Sequence, residues 1–241
     1  METVEQGRGG GLQLAGRAVP VEGLVFDFDG VLVDSDELHW RAYRRAFAAE
    51  GIVFSLAEYV SGAKGRARAA VIERFGRDLD GAARARVAQA KTDEAHRLVT
   101  AGLLEPVAGA VAFVRAVRDR GLRCGVASTS VIAPVALQQM GIAGLFDCIC
   151  AKGPGDRAKP HPDIFLRAFS LLDRSAARCL VVEDTVVGAR AALRAGAPVV
   201  IRGGESEWRD EPMRSALEGF FSDYPELHRR LGWGALAEEA A

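Results

Sequence analysis

The feature that most constrains this chain is the run Leu24-Val25-Phe26-Asp27-Phe28-Asp29-Gly30-Val31-Leu32-Val33-Asp34-Ser35. A short apolar stretch of β-branched and aromatic residues that stops at a glycine reads as a buried strand. Two carboxylates, one residue apart, stand at its end. Parallel strands of α/β proteins deliver functional groups at their carboxyl ends. Two acids are costly to bury there unless a cation or a reaction uses them. Side chains alternate along a strand, so Asp27 and Asp29 can lie on one side. An Asp-x-Asp-Gly string also occurs in calcium loops. Here the downstream acid ladder of such a loop is missing and the preceding strand is apolar.

Three further segments follow in order. Cys124-Gly125-Val126-Ala127-Ser128-Thr129-Ser130 is an apolar stretch ending in hydroxyls. At a strand end such hydroxyls, with the backbone N–H groups of the next turn, can bind phosphate oxygens; alone, they more often cap a helix. Lys159-Pro160-His161-Pro162-Asp163 places a cation in a proline-fixed loop before a helix start. Leu180-Val181-Val182-Glu183-Asp184-Thr185 is a second apolar strand ending in paired acids. Taken together, the four segments resemble motifs I to IV of the haloacid dehalogenase superfamily of phosphohydrolases. The resemblance implies that Asp27 is the nucleophile and Asp29 the acid/base. It implies that Ser128, Thr129 and Lys159 bind the transferring phosphate. It further implies a Mg2+ held by Asp27, the backbone carbonyl of Asp29 and Asp184, with Glu183 either ligating or orienting from behind.

The whole chain sets outer bounds. Its 241 residues are 49% apolar and 26% charged, enough for a sizeable core. A net charge of −1 gives no bulk electrostatic case for nucleic acid or a membrane surface as partner. No apolar run reaches the roughly 18 residues that span a bilayer. Cys124, Cys148, Cys150 and Cys179 lack metal-ligand spacing and read as reduced thiols in or beside core strands, which suits the cytoplasm. Residues 1–20 are Gly-rich without a signal-peptide core, and the expectation for them is a disordered lead-in.

Between residues 36 and 101 the periodicity is helical, with helices expected at 36–50, 66–76 and 81–101. Strand–helix alternation then resumes: helix 107–120, strand 123–127, helix 133–140, strand 147–150, helix 163–172, strand 179–183, helix 187–195, strand 198–202 and a tail helix at 212–231. Alternating βα units imply a parallel sheet covered on both faces. The expected fold is therefore α/β: a Rossmann-like core (21–35 and 102–241) with an all-helical cap (36–101) inserted after the first strand. This resembles the helical-cap subfamily of the same superfamily, which includes phosphoglycolate phosphatase, sugar-phosphate phosphatases and β-phosphoglucomutase.

The chemistry follows from the residue types. A carboxylate is already ionised at pH 7 and needs no activating base to act as a nucleophile. A second carboxylate can protonate the leaving oxygen and later activate water. In the cap, His39 and the Ser61–Arg66 turn, through Lys64 or Arg66, are candidates to contact substrate. The expected function is a Mg2+-dependent phosphatase of a small phosphorylated metabolite, a sugar phosphate or related acid, working through an aspartyl-phosphate as a monomer or weak homodimer. The alternative is a β-phosphoglucomutase-like mutase. It is disfavoured because Val131 and Ile132 stand where that group carries a Lys-Asn pair. A non-catalytic phosphometabolite-binding protein is a third reading.

Overall fold

The computed structural model describes residues 12–14, 17–19, 21–63, 66–153 and 155–237. Strands β1 (Leu12–Leu14) and β2 (Arg17–Val19) pair antiparallel, with Leu12 opposite Val19. For residues 12–14 and 17–19 this amends the expectation of a disordered lead-in, while residues 1–11, 15, 16 and 20 lie outside the described residues.

The main sheet is built from β3 (Gly23–Phe26), β4 (Arg123–Ser128), β5 (Cys148–Ala151), β6 (Cys179–Glu183), β7 (Val199–Arg202) and β8 (Gly219–Phe221). Its strand order is β5-β4-β3-β6-β7-β8 and every pairing is parallel. Phe26 lies opposite both Val126 and Val182. The segments that follow β3, β4 and β6 therefore emerge side by side, carrying Asp27, Thr129 and Asp184 respectively. The chain runs outward from β3 to β5, then returns to β6 on the other side. The crevice at such a reversal is where open α/β sheets bind ligands.

Helices α1 (Asp36–Ala48), α2 (Leu56–Gly62), α3 (Arg68–Phe75) and α4 (Gly81–Thr100) lie between β3 and the rest of the sheet. Helix α2 was not anticipated. Its start is a capping box: the Ser55 hydroxyl accepts from the Glu58 amide and the Glu58 carboxylate accepts from the Ser55 amide. Ser61 and Gly62, expected in a turn, complete its last turn. These helices share an aromatic centre in which Phe54 stacks on Phe75 at 4.1 Å. They are also rooted in the sheet. Leu38 and Ala42 of α1, with Ala95, Leu98 and Val99 of α4, belong to the apolar cluster of Leu24, Phe26 and Val126.

Helices α5 (Ala110–Asp119) and α6 (Ala133–Gln139) cover that first face, while α7 (Asp163–Leu172) and α8 (Val186–Arg194) cover the other around Val25, Ala127 and Val181. The expected tail helix at 212–231 is corrected. The segment forms β8 and then the short α9 (Tyr224–Arg230). Gly219 at φ +137° cannot sit inside a helix, and Asp223 caps α9 through the Glu226 amide with Pro225 in the first turn. All four cysteines are free, and Cys148 alone is only partly buried. Among the described residues no helix is long and apolar enough to cross a membrane.

Candidate active site

Asp27 follows the central strand and stays in register with the sheet, its amide donating to the Val182 carbonyl at 2.9 Å. Lys159 reaches it from the loop before α7. The Lys159 ammonium is 3.0 Å from Asp27 Oδ1 and 2.5 Å from Glu183 Oε1, and it lies over the Phe165 ring at 4.8 Å. Burial alone would neutralise this lysine. The two carboxylates outweigh that effect and raise its pKa above the usual lysine value. The Asp27 carboxyl is pushed up to about 7, first by burial, against Lys159, and further by Glu183 and Asp29.

Glu183 is fully buried. Its Oε1 takes the lysine, while its Oε2 accepts from the Asp184 and Thr185 amides and from the Thr185 hydroxyl. A methyl group at Gly188 would fall 1.9 Å from Oε1, so this glycine makes room for the carboxylate.

Asp29 faces the inserted helices. Its Oδ1 accepts from the Ser35 hydroxyl at 2.5 Å and lies 3.0 Å from His39 Nε2. Burial raises its pKa, but His39, Ser35 and Lys91 together outweigh that and leave it below the ordinary carboxylate value. The Lys91 ammonium lies 3.4 Å from His39 Nδ1 and 5.2 Å from the centre of the Tyr43 ring. Burial and the neighbouring Arg68 bring Lys91 down to about 8, against the pull of Asp29.

Oxygens of Asp27, Glu183 and Asp184 all lie within 4.8 Å of one another. Gly30, at φ +71°, approaches Asp184 so closely that a Cβ there would overlap Oδ2 at 1.9 Å. In the turn that follows, the carbonyls of Phe28, Gly30, Val31 and Leu32 accept bonds from the protein, and that of Asp29 receives no donor among the described residues. Clustered hard oxygen donors of this kind fit Mg2+. Asp27, Asp184 and the Asp29 carbonyl would supply the ligands. Glu183 spends both oxygens on the protein.

Asp27, Asp29, Gly30 and Asp184 line a cleft of about 240 Å3. Of the residues singled out from the sequence, Asp27, Asp29, His39, Arg66, Thr129, Lys159 and Asp184 line it. Ser128 and Glu183 are fully buried and do not line it; the Ser128 hydroxyl accepts from the Ser130 amide at 3.0 Å. Lys64 lies outside the described residues. Sequence reasoning missed Ser35, Tyr43, Arg68 and Lys91. Arg68 and Lys91 look like ordinary helix-surface cations in sequence, and only the packing of α1, α3 and α4 together brings them to the cleft.

Residues 21–196 match the family model of haloacid dehalogenase-like hydrolases, and the chain belongs to that family. Fructose-1-phosphate phosphatase YqaB of Escherichia coli is 30% identical over 185 residues, 74% of this chain and 94% of its own. CbbY of Rhodobacter sphaeroides, solved with phosphate, is 28% identical at a TM-score of 0.74, covering 88% of this chain and 99% of its own. Its D-to-N mutant, solved with xylulose-(1,5)bisphosphate, is 26% identical with the same coverage and a TM-score of 0.73. β-Phosphoglucomutase of Clostridium difficile shares the fold at 22% identity and a TM-score of 0.73, covering 88% of this chain and 97% of its own.

Proposed function

We propose that this protein is a Mg2+-dependent phosphatase that hydrolyses a small sugar phosphate through an aspartyl-phosphate on Asp27. The family makes it a hydrolase. The observation that carries the reading is the buried Asp27–Lys159–Glu183 cluster beside Asp29 and Asp184 at the carboxyl end of the sheet. YqaB and CbbY support a phosphorylated sugar as substrate, and the small cleft suits one.

Asp27 attacks phosphorus as the bond to the leaving oxygen breaks, and Asp29 gives that oxygen a proton. Asp29 then takes a proton from water, which opens the acyl phosphate and restores the Asp27 carboxylate. The ionised Asp29 of the free cleft is the form that accepts this proton. A phosphate dianion beside it favours the protonated form needed in the first step. Asp27, Asp184 and the Asp29 carbonyl would hold Mg2+, which supplies charge neutralisation of the phosphate oxygens when bound. Lys159 does the same for the transferring group, and Glu183 fixes Lys159 in place. The Thr129 and Ser130 turn offers donors to the phosphate. His39 holds Asp29, and Arg66, Arg68 and Lys91 are placed to meet the sugar or a further anionic group.

Val131, 46% exposed, and Ile132, 1% exposed, offer no side-chain hydrogen bond to a second phosphate, which keeps hydrolysis ahead of the mutase reading. The free thiols and this small-molecule cleft support a cytoplasmic enzyme. The test is a phosphate-release screen over sugar phosphates, phosphoglycolate and nucleotides, with Mg2+ and again with a chelator. Release that depends on Mg2+ is expected. No release from any ester, or conversion of β-glucose 1-phosphate to glucose 6-phosphate faster than phosphate appears, would overturn the reading.

A further inference from the structure

The turn that carries Asp29 is held by side chains from a part of the chain that lies beyond the family match, which ends at residue 196. Arg202, the last residue of β7, donates from Nη1 to the Gly30 carbonyl at 2.9 Å. Tyr224, the first residue of α9, donates from its hydroxyl to the Val31 carbonyl at 2.9 Å, and it is fully buried. The Val107 amide holds the next carbonyl, that of Leu32, at 2.8 Å. The Gly30–Val31, Val31–Leu32 and Leu32–Val33 peptide planes are thus each tied to a different part of the chain: β7, α9 and the segment before α5. Within the turn, the Gly30 amide donates to the Val33 carbonyl at 2.8 Å, fixing the peptide between Asp29 and Gly30 as well.

The two distant side chains are themselves placed by the fold. Arg202 pairs with Phe221 across β7 and β8. Two residues after β8, Asp223 caps α9 and sets Tyr224 at its head. Burial holds the Tyr224 phenol well above its usual pKa, so it remains a donor at neutral pH. Arg202 Nε is buried without an acceptor, so its bond to Gly30 is made from a guanidinium that the packing holds at a cost. A polar group kept in place that way points to a use for the bond it does make. The main chain at Gly30 also presses directly on Asp184, where a single Cβ would not fit. Any loosening of this turn moves Asp29 and Asp184 together.

We infer that Arg202 and Tyr224 are positioning residues for the reaction: they pin the Gly30–Val31 and Val31–Leu32 peptide planes, so that the C-terminal β7–α9 segment is a working part of the active site. The inference rests on the phosphatase reading for what Asp29 does, and on geometry alone for the pinning.

The experiment compares wild type with Tyr224→Phe, Arg202→Met and Arg202→Lys, the lysine variant retaining a donor. Amide hydrogen exchange is followed without metal, and kcat and KM are measured with Mg2+ and the ester that wild type hydrolyses fastest. Tyr224→Phe and Arg202→Met should exchange roughly tenfold faster at residues 30–33, the equivalent of one buried hydrogen bond, with the rest of the sheet unchanged. Their kcat should fall roughly tenfold while KM stays within about twofold, since the acid/base and not the ground-state contacts is displaced. Arg202→Lys should recover part of the kcat. Wild-type exchange at 30–33 in both Tyr224→Phe and Arg202→Met would overturn the inference. So would a kcat within about twofold of wild type, or a uniform loss of stability with no kcat-against-KM split. If Arg202→Met does not fold, Tyr224→Phe decides. A wild type that releases no phosphate would sink the phosphatase reading, and the exchange comparison would still decide the pinning.

Discussion

A carboxyl group raised to about 7 by burial has a sign that can be followed to stability. The folded protein binds a proton at Asp27 more tightly than the unfolded chain, whose value is near 3.8. The stabilising contribution is therefore full below about 4 and is lost as pH rises toward 7. We predict that, without metal, Asp27→Asn gains thermal stability relative to wild type at pH 7.5 and less, or none, at pH 5. Unfolding midpoints at the two pH values check this, and an equal difference at both would contradict it. Added Mg2+ should stabilise wild type at pH 7.5 far more than the variant, because binding to the native state alone raises its stability. At this scale the sequence was eloquent about acids and silent about their partners. Asp27, Asp29, Lys159, Glu183 and Asp184 were legible because polar residues at the ends of apolar strands are costly and so conspicuous. Ser35 and Lys91 were not, since a serine before a helix and a lysine within one are common for other reasons.

The turn from β6 into α8 shows how an element serves a side chain. The Thr185 hydroxyl both caps α8 through the Gly188 amide and donates to Glu183. Gly188 stands in the first turn, where alanine would ordinarily favour a helix by about 1 kcal/mol. Here its Cβ would overlap the Glu183 carboxylate. Gly188→Ala is therefore predicted to destabilise, by about 1–3 kcal/mol, and to lower turnover at least tenfold by displacing Glu183 from Lys159. Chemical denaturation and steady-state kinetics check both; a stabilised, fully active variant would contradict the packing argument. Boundaries of the buried strands and of α7 could be read closely from sequence, because continuous apolar runs and proline leave little choice. The tail could not. Tyr224-Pro225-Glu226-Leu227 begins a helical pattern whose true start, Asp223, was hidden by an apparently helical stretch before it. The strand Gly219–Phe221 is three residues long, too short for a period-2 signal.

For the whole molecule, the inserted helices share one apolar cluster with the sheet near the chain crossings and keep a separate aromatic centre farther out. We propose that closure on substrate is a limited rocking about residues 33–36 and 101–105, which would keep bulk water from the proposed acyl phosphate. Solution scattering should show compaction when Mg2+ and a phosphate transition-state mimic bind; no change despite confirmed binding would count against it. The cap-side residues that would meet substrate come from α1, α3 and α4, far apart in sequence, so the arrangement of the cleft is a property of the fold that no single motif displays. The central claim is that Asp27 carries the transferred phosphoryl group. Its most direct test is turnover of Asp27→Asn beside wild type, with Mg2+ present and the fold of the variant confirmed by its unfolding transition. We predict that phosphate release by the variant falls by at least a thousandfold, as removal of a nucleophile does. Release near the wild-type rate would contradict the account.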